Sequence, residues 1–158
     1  MQEARSTEEG IVTVALDPGL TSGLAVYHWP KGHFASEQVE GRFDLYKRLN
    51  TMMASGFQME FVLERFTINS QTFAKSPQYD ALYIIGHVEA VCYASGIPFA
   101  LQTPTQAKAF STDDKLKKLG WYKPTPGGHA NDAARHLLRW LVTARLDRGG
   151  KRFLEALV

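Results

Sequence analysis

The stretch IVTVALDPGLTSGLAVYHW, residues 11–29, decides the fold. Ile11 to Leu16 is an apolar run of strand length that ends in Asp17-Pro18-Gly19, a turn signal. Gly23 to Trp29 is a second run rich in strand formers. Pro30-Lys31-Gly32 then makes a turn, and His33 to Glu40 reads as a third strand of mixed polarity. Turns this short cannot carry a crossover, so the three strands should form an antiparallel meander.

Beyond the meander the pattern changes period. Phe43, Tyr46, Leu49 and Met53 recur at helical spacing, predicting a helix over 42–55 that stops at Gly56. Phe61 to Phe66 reads as a buried strand, 67–77 as a polar loop, 78–95 as the longest helix and Phe99 to Gln102 as the last strand. Pro104 opens a short helix. Residues 111–128 carry lysines, prolines and the Gly127-Gly128 pair, and much of the stretch is expected to be mobile loop. His129 to Leu146 is expected to be a helix with Ala133, Leu137, Trp140, Leu141 and Ala144 on its inner face. The order strand-strand-strand-helix-strand-helix-strand-helix predicts an α/β fold, a mixed five-stranded sheet flanked by helices.

Length and composition bound the rest. At 158 residues, 44% hydrophobic and 22% charged, the chain is expected to hold one globular domain over 11–158 behind a flexible tail, 1–10. A formal charge of +2 permits a nucleic-acid partner without arguing for one. The single cysteine, Cys92, fits a reducing cytoplasm, and no apolar run is long enough for a bilayer, so no membrane role is expected. The end, DRGGKRFLEALV, holds a Gly149-Gly150 break and then a short amphipathic piece able to dock on the core or a partner.

Three features place carboxylates where a cation site could form. Asp17 follows the first apolar strand, at the sheet's mouth, although Asp-Pro-Gly is also a good plain turn. Glu64 interrupts the apolar strand FVLERF, where a charge is costly to bury unless a cation or hydrogen-bond donor meets it. His129 and Asp132, three residues apart, project from one face of a helix's first turn, a place equally suited to a capping acid. Taken together they form an oxygen-rich shell of the kind hard ions such as Mg²⁺ or Mn²⁺ prefer. Two such ions can clamp the attacking and leaving oxygens of a phosphodiester.

At these residues the sequence resembles the RuvC family of Holliday junction resolvases, within the RNase H-like superfamily. The similar stretches are VALDPGLTSGLAVY at 14–27, LERFTINSQTFAKSPQYDALYIIGHVEAV at 63–91, PTQAKAF at 104–110 and HANDAARHLL at 129–138. The resemblance implies a two-metal endonuclease that nicks branched DNA in pairs and leaves 5′-phosphate and 3′-hydroxyl ends. It implies Asp17, Glu64, His129 and Asp132 as the metal-holding, catalytic set, with His129 standing where many members have an aspartate. It further implies Phe66, Asn69 and Phe73 as probes of the junction centre, and Lys108, Lys115, Lys117 and Lys118 as backbone contacts. Phe66 reads equally well as a core residue, and the lysines as a solvated face.

Family members act as homodimers, and the 78–95 helix, apolar nearly all round, offers a face for a partner subunit. There Cys92 could approach its twin or lie buried. The resemblance implies four-way junctions as substrate, with forks and flaps also fitting, and a bacterial or bacteriophage setting. Three other readings remain: a nucleotide-phosphate-binding relative of the actin-like fold, which shares a similar first turn, a branched-DNA binder that does not cut, and a related nuclease acting on structured RNA.

Overall fold

The computed structural model describes residues 10–71 and 79–158. Five strands, β1 (Ile11–Asp17), β2 (Thr21–Trp29), β3 (His33–Glu40), β4 (Gln58–Glu64) and β5 (Phe99–Gln102), form one mixed sheet in the order β3-β2-β1-β4-β5. β1, β2 and β3 are the antiparallel meander, and β4 and β5 run parallel to β1. The helices are α1 (Arg42–Met53), α2 (Tyr79–Ser95), α3 (Pro104–Phe110), α4 (Asp113–Lys118), α5 (His129–Ala144) and α6 (Gly150–Leu157).

Strand alternation sends one set of side chains to each face. Val12, Val14, Leu16, Leu24, Met59, Phe61 and Leu63 pack under α1 and α2 with Leu45, Leu49, Ile84, Val88 and Cys92. Ala15, Ala25, Tyr27 and Val62 pack under α5, with Leu137, Leu138 and Leu141 above them. Asp17 and Glu64 fall in phase with Ala15 and Val62, so both carboxylates belong to the α5 face. That phase is what allows the fold to bring them to Asp132.

The contact between β2 and α5 depends on a missing side chain. Gly23 pairs across from Asp17, and a Cβ there would lie deep inside the His129 carbonyl group. Only glycine lets the first turn of α5 approach the sheet at this point. Gln38 of β3 holds the same turn from the side, its Oε1 accepting from His129 N at 3.0 Å and from Thr125 Oγ1 at 2.8 Å. Asn131 pins the preceding loop through both Lys123 backbone groups, at 2.8 Å each.

Several sequence expectations need correction. Most of 111–128 is loop, but it also contains the unforeseen α4, whose Thr112 hydroxyl caps the first turn, with acids at its start and lysines at its end. Leu116 and Trp121 anchor this stretch in the core, and Trp121 stacks on Phe34 with centroids 4.2 Å apart. The fourth strand starts at Gln58 and ends at Glu64, so Arg65 and Phe66 lie beyond it. Gly10, counted in the tail, is buried against Trp29, while residues 1–9 are outside the described residues. The C-terminal piece docks on the core, with Phe153 packed edge-on against Tyr27 and Trp121. Among the described residues no helix is long and apolar enough to cross a membrane.

Candidate functional site

Asp17 sits at the end of β1, where the parallel register places it one step past the Leu16–Leu63 pair and so beside Glu64. Its residue is 8% exposed, and its Oδ2 meets His129 Nδ1 at 2.8 Å. The Asp17 pKa is raised to about 6, by burial first, then by the Glu64 charge and less by Asp132, against the hydrogen bond and charge of His129, which pull the other way. Asp17 thus feels two acids far from it along the chain, at the carboxyl ends of the central strands.

Each carboxylate also has a partner within the chain. Glu64 Oε2 lies 2.9 Å from His136 Nε2, and His136 Nδ1 lies 3.1 Å from Gln102 Oε1. Asp132 lies 3.6 Å from both Lys108 Nζ and Arg135 Nη1, and Arg135 also binds Asp113. With the side chains turned onto these partners, no three His, Cys, Asp or Glu groups among the described residues converge closely enough to hold an ion as they stand. The donor set nevertheless suits a hard divalent cation in kind: three carboxylates and an imidazole, with Asp17 made harder to ionise by burial and by the neighbouring acids. A cation is what relieves such like-charge crowding.

The other predicted contacts divide. Lys108, on α3, reaches the acidic cluster itself. The capping box of Thr103 and Gln106 sets the start of that helix. Lys115 Nζ donates to the Phe110 carbonyl at 2.6 Å, and Lys117 lies over the Tyr122 ring, so both are tied to their own surroundings. Lys118 is exposed. Phe66 is half-buried and, among the described residues, stands in neither core cluster. Asn69 is exposed and its Oδ1 accepts from Gln71 N at 3.0 Å; Phe73 lies outside the described residues.

Sequence reasoning missed His136, Gln102 and Arg135. His136 follows Asp132 by four residues, a spacing that puts both on one helix face and could have flagged it. It also passed over Glu60, which shares a strand face with Glu64 and is 1% exposed. That acid is a structural one: Thr13 Oγ1, Trp140 Nε1 and Arg145 Nε bind it at 2.7, 3.1 and 2.7 Å.

Superposition on solved structures settles the architecture. T. thermophilus RuvC, solved in complex with a Holliday junction substrate, matches with a TM-score of 0.54 over 79% of this chain and 89% of that one, at 16% identity. The fold is that of RuvC. The mixed five-stranded sheet with helices on both faces is thus the RNase H-like arrangement. No protein-family model matches the chain, and no curated protein matches it by sequence. The RuvC-like sheet carries Asp17 and Glu64 on adjacent parallel strands and Asp132 on the helix that crosses them.

Proposed function

We propose that the chain is a metal-dependent endonuclease that resolves Holliday junctions and related branched DNA by paired nicking. The observation that carries this reading is the buried Asp17 carboxylate at the end of β1, which feels the charges of Glu64 from β4 and Asp132 from α5. The RuvC-like fold supports it, since the matched protein binds a Holliday junction substrate. Asp17, Glu64, His129 and Asp132 are the residues that would hold Mg²⁺ or Mn²⁺. Bound there, a pair of such ions would supply an activated water and neutralise charge on the departing 3′ oxygen, leaving a 5′-phosphate.

The chain's own groups prepare that chemistry. Asp17, held by His129, keeps its carboxylate at the centre of the set. Gly23 and Gln38 fix the height and angle of the α5 N-terminus, and with it His129 and Asp132. Lys108 places a positive charge beside Asp132, where a strand phosphate would be drawn in. Phe66 and Asn69 stand just past Glu64 as junction-centre contacts, and Lys118 offers a free backbone contact.

Two-fold cutting of a four-way junction calls for two such sites, and α2 supplies the surface for pairing. Ala81, Ile84, Val88 and Cys92 face the sheet, while Tyr79, Leu82, Tyr83 and Tyr93 are exposed on the outside. Cys92 is therefore on the wrong side of α2 to meet a twin. The setting that goes with this reading is the cytoplasm of a bacterium, where a phage-encoded copy would also act.

Incubation of the chain with labelled junction, fork and linear duplex, each with Mg²⁺, Mn²⁺ or EDTA, tests the proposal. Symmetric metal-dependent nicks in the junction are expected, and Asp17→Asn should bind the junction without cutting it. Junction binding by the wild-type chain with no cutting under any metal would replace this reading with that of a non-catalytic binder, for which the internal pairing of all three acids would be the reason.

A further inference from the structure

His136 is an odd residue for its position. It is 1% exposed, on the inner face of α5 among Ala133, Leu137, Leu138 and Leu141. An apolar side chain there would fill the space without needing partners. The imidazole instead requires two, and it has them: Glu64 Oε2 at 2.9 Å and Gln102 Oε1 at 3.1 Å. Glu64 and Gln102 are cross-strand neighbours of β4 and β5, so His136 reaches down from the helix and engages both. Gln102 is itself 4% exposed and leaves its Nε2 buried without a hydrogen bond. A core does not gain from such a polar pair unless one of its members has a task.

We infer that His136 is a positioning residue, backed by Gln102, that fixes the Glu64 carboxylate for cation binding; this rests on the nuclease reading above. A carboxylate and an amide oxygen can only accept, so both His136 nitrogens carry a proton and donate, Nε2 to Glu64 and Nδ1 to Gln102. One Glu64 oxygen is thereby committed to His136 and the carboxylate plane is set, while the other oxygen remains for an ion. His136 and Asp132 lie one helical turn apart on α5. The same helix thus presents one acid and orients another, tying the β4 carboxylate to the placement of Asp132. Partners of this kind behind a metal-binding acid keep it from turning away when the ion leaves.

The test compares wild type with His136→Phe, which fills the space but donates nothing, and His136→Gln, whose amide can still reach Glu64. Gln102→Met, which removes only the backing of the imidazole, serves as a milder variant should His136→Phe fail to fold. Mn²⁺ affinity is measured by calorimetry without DNA, alongside urea unfolding in EDTA, junction binding in EDTA, and the Mn²⁺ dependence of cutting. His136→Phe should weaken Mn²⁺ binding by roughly 10–100-fold. Its junction affinity in EDTA should stay within about twofold, since phosphate contacts supply it. His136→Gln should recover most of the loss, and Gln102→Met should show a smaller shift in the same direction.

A His136→Phe chain that folds and binds Mn²⁺ like wild type overturns the inference alone, as do equal affinities for His136→Phe and His136→Gln. If His136→Phe does not fold, unchanged Mn²⁺ affinity in Gln102→Met overturns it. A wild-type chain that binds no Mn²⁺ and cuts nothing overturns the nuclease reading and this inference with it. Where the wild type binds Mn²⁺ but cuts nothing, only the nuclease reading falls, and the affinities still decide the role of His136.

Discussion

Replacing Asp17 by Asn should make the chain more stable while abolishing its activity. Asp17 has a pKa of about 6 against an ordinary 3.8, so the folded state resists ionising it. The sign follows from that direction. A raised folded-state pKa favours folding below pH 3.8, and the advantage is lost as pH rises through 6. Above pH 7 the ionised side chain costs roughly 3 kcal/mol relative to a neutral isostere, at ~1.4 kcal/mol per pKa unit. Its side chain is only 12% exposed, so solvent screening removes little of this. Asn keeps an oxygen to accept from His129 and drops the charge. Urea unfolding in EDTA should show Asp17→Asn more stable by about 2–3 kcal/mol at pH 8, and by about half of that at pH 5. In thermal melts this amounts to roughly 5–10 °C at pH 8. Adding Mn²⁺ should narrow the gap by stabilising the wild type alone. An Asn variant no more stable than wild type at pH 8, or a gap that does not shrink by pH 5, would refute the claim that burial and the neighbouring acids make Asp17 hard to ionise.

Other substitutions probe separate parts of the argument. Gly23→Ala should cost about 2–4 kcal/mol in urea unfolding, because the new methyl group and the His129 carbonyl cannot share the space. Arg145→Ala leaves Glu60 buried without its closest cation and should cost roughly 3 kcal/mol. In cutting assays run well below its melting temperature, junction cleavage by that variant should be unaffected. Lys108→Ala should weaken junction binding and lower the slope of log affinity against log salt by about 0.9, measured by titration across a salt series. Leu82→Arg, on the outward face of α2, should give monomers in sedimentation with unchanged unfolding behaviour; persistent dimers would move the pairing surface elsewhere.

Local sequence determined the strands, the long helices and the acids worth watching. Hydrophobic period is a property of neighbouring residues, so the meander and α5 could be read directly from the order of side chains. Two elements slipped because their pattern is short or mixed. α4 spans only six residues, and its Thr112 cap with two acids and then three lysines was a signal outweighed by the glycines and prolines nearby. The opening of β4, Gln58-Met59-Glu60, lacks the apolar run that marked Phe61 to Leu63.

What the tertiary structure alone decided is which polar residues belong together. Glu60 and Glu64 occupy the same face of the same strand, and nothing in their flanking residues separates them. Distance along the chain hides their partners: Arg145 is 85 residues from Glu60 and His136 is 72 from Glu64. Strand register and the close approach of α5 over Gly23 bring one acid to a structural arginine and the other to Asp17 and Asp132. Charge is a property of the residue, but its cost and its use are set by what surrounds it, and only packing supplies the surroundings.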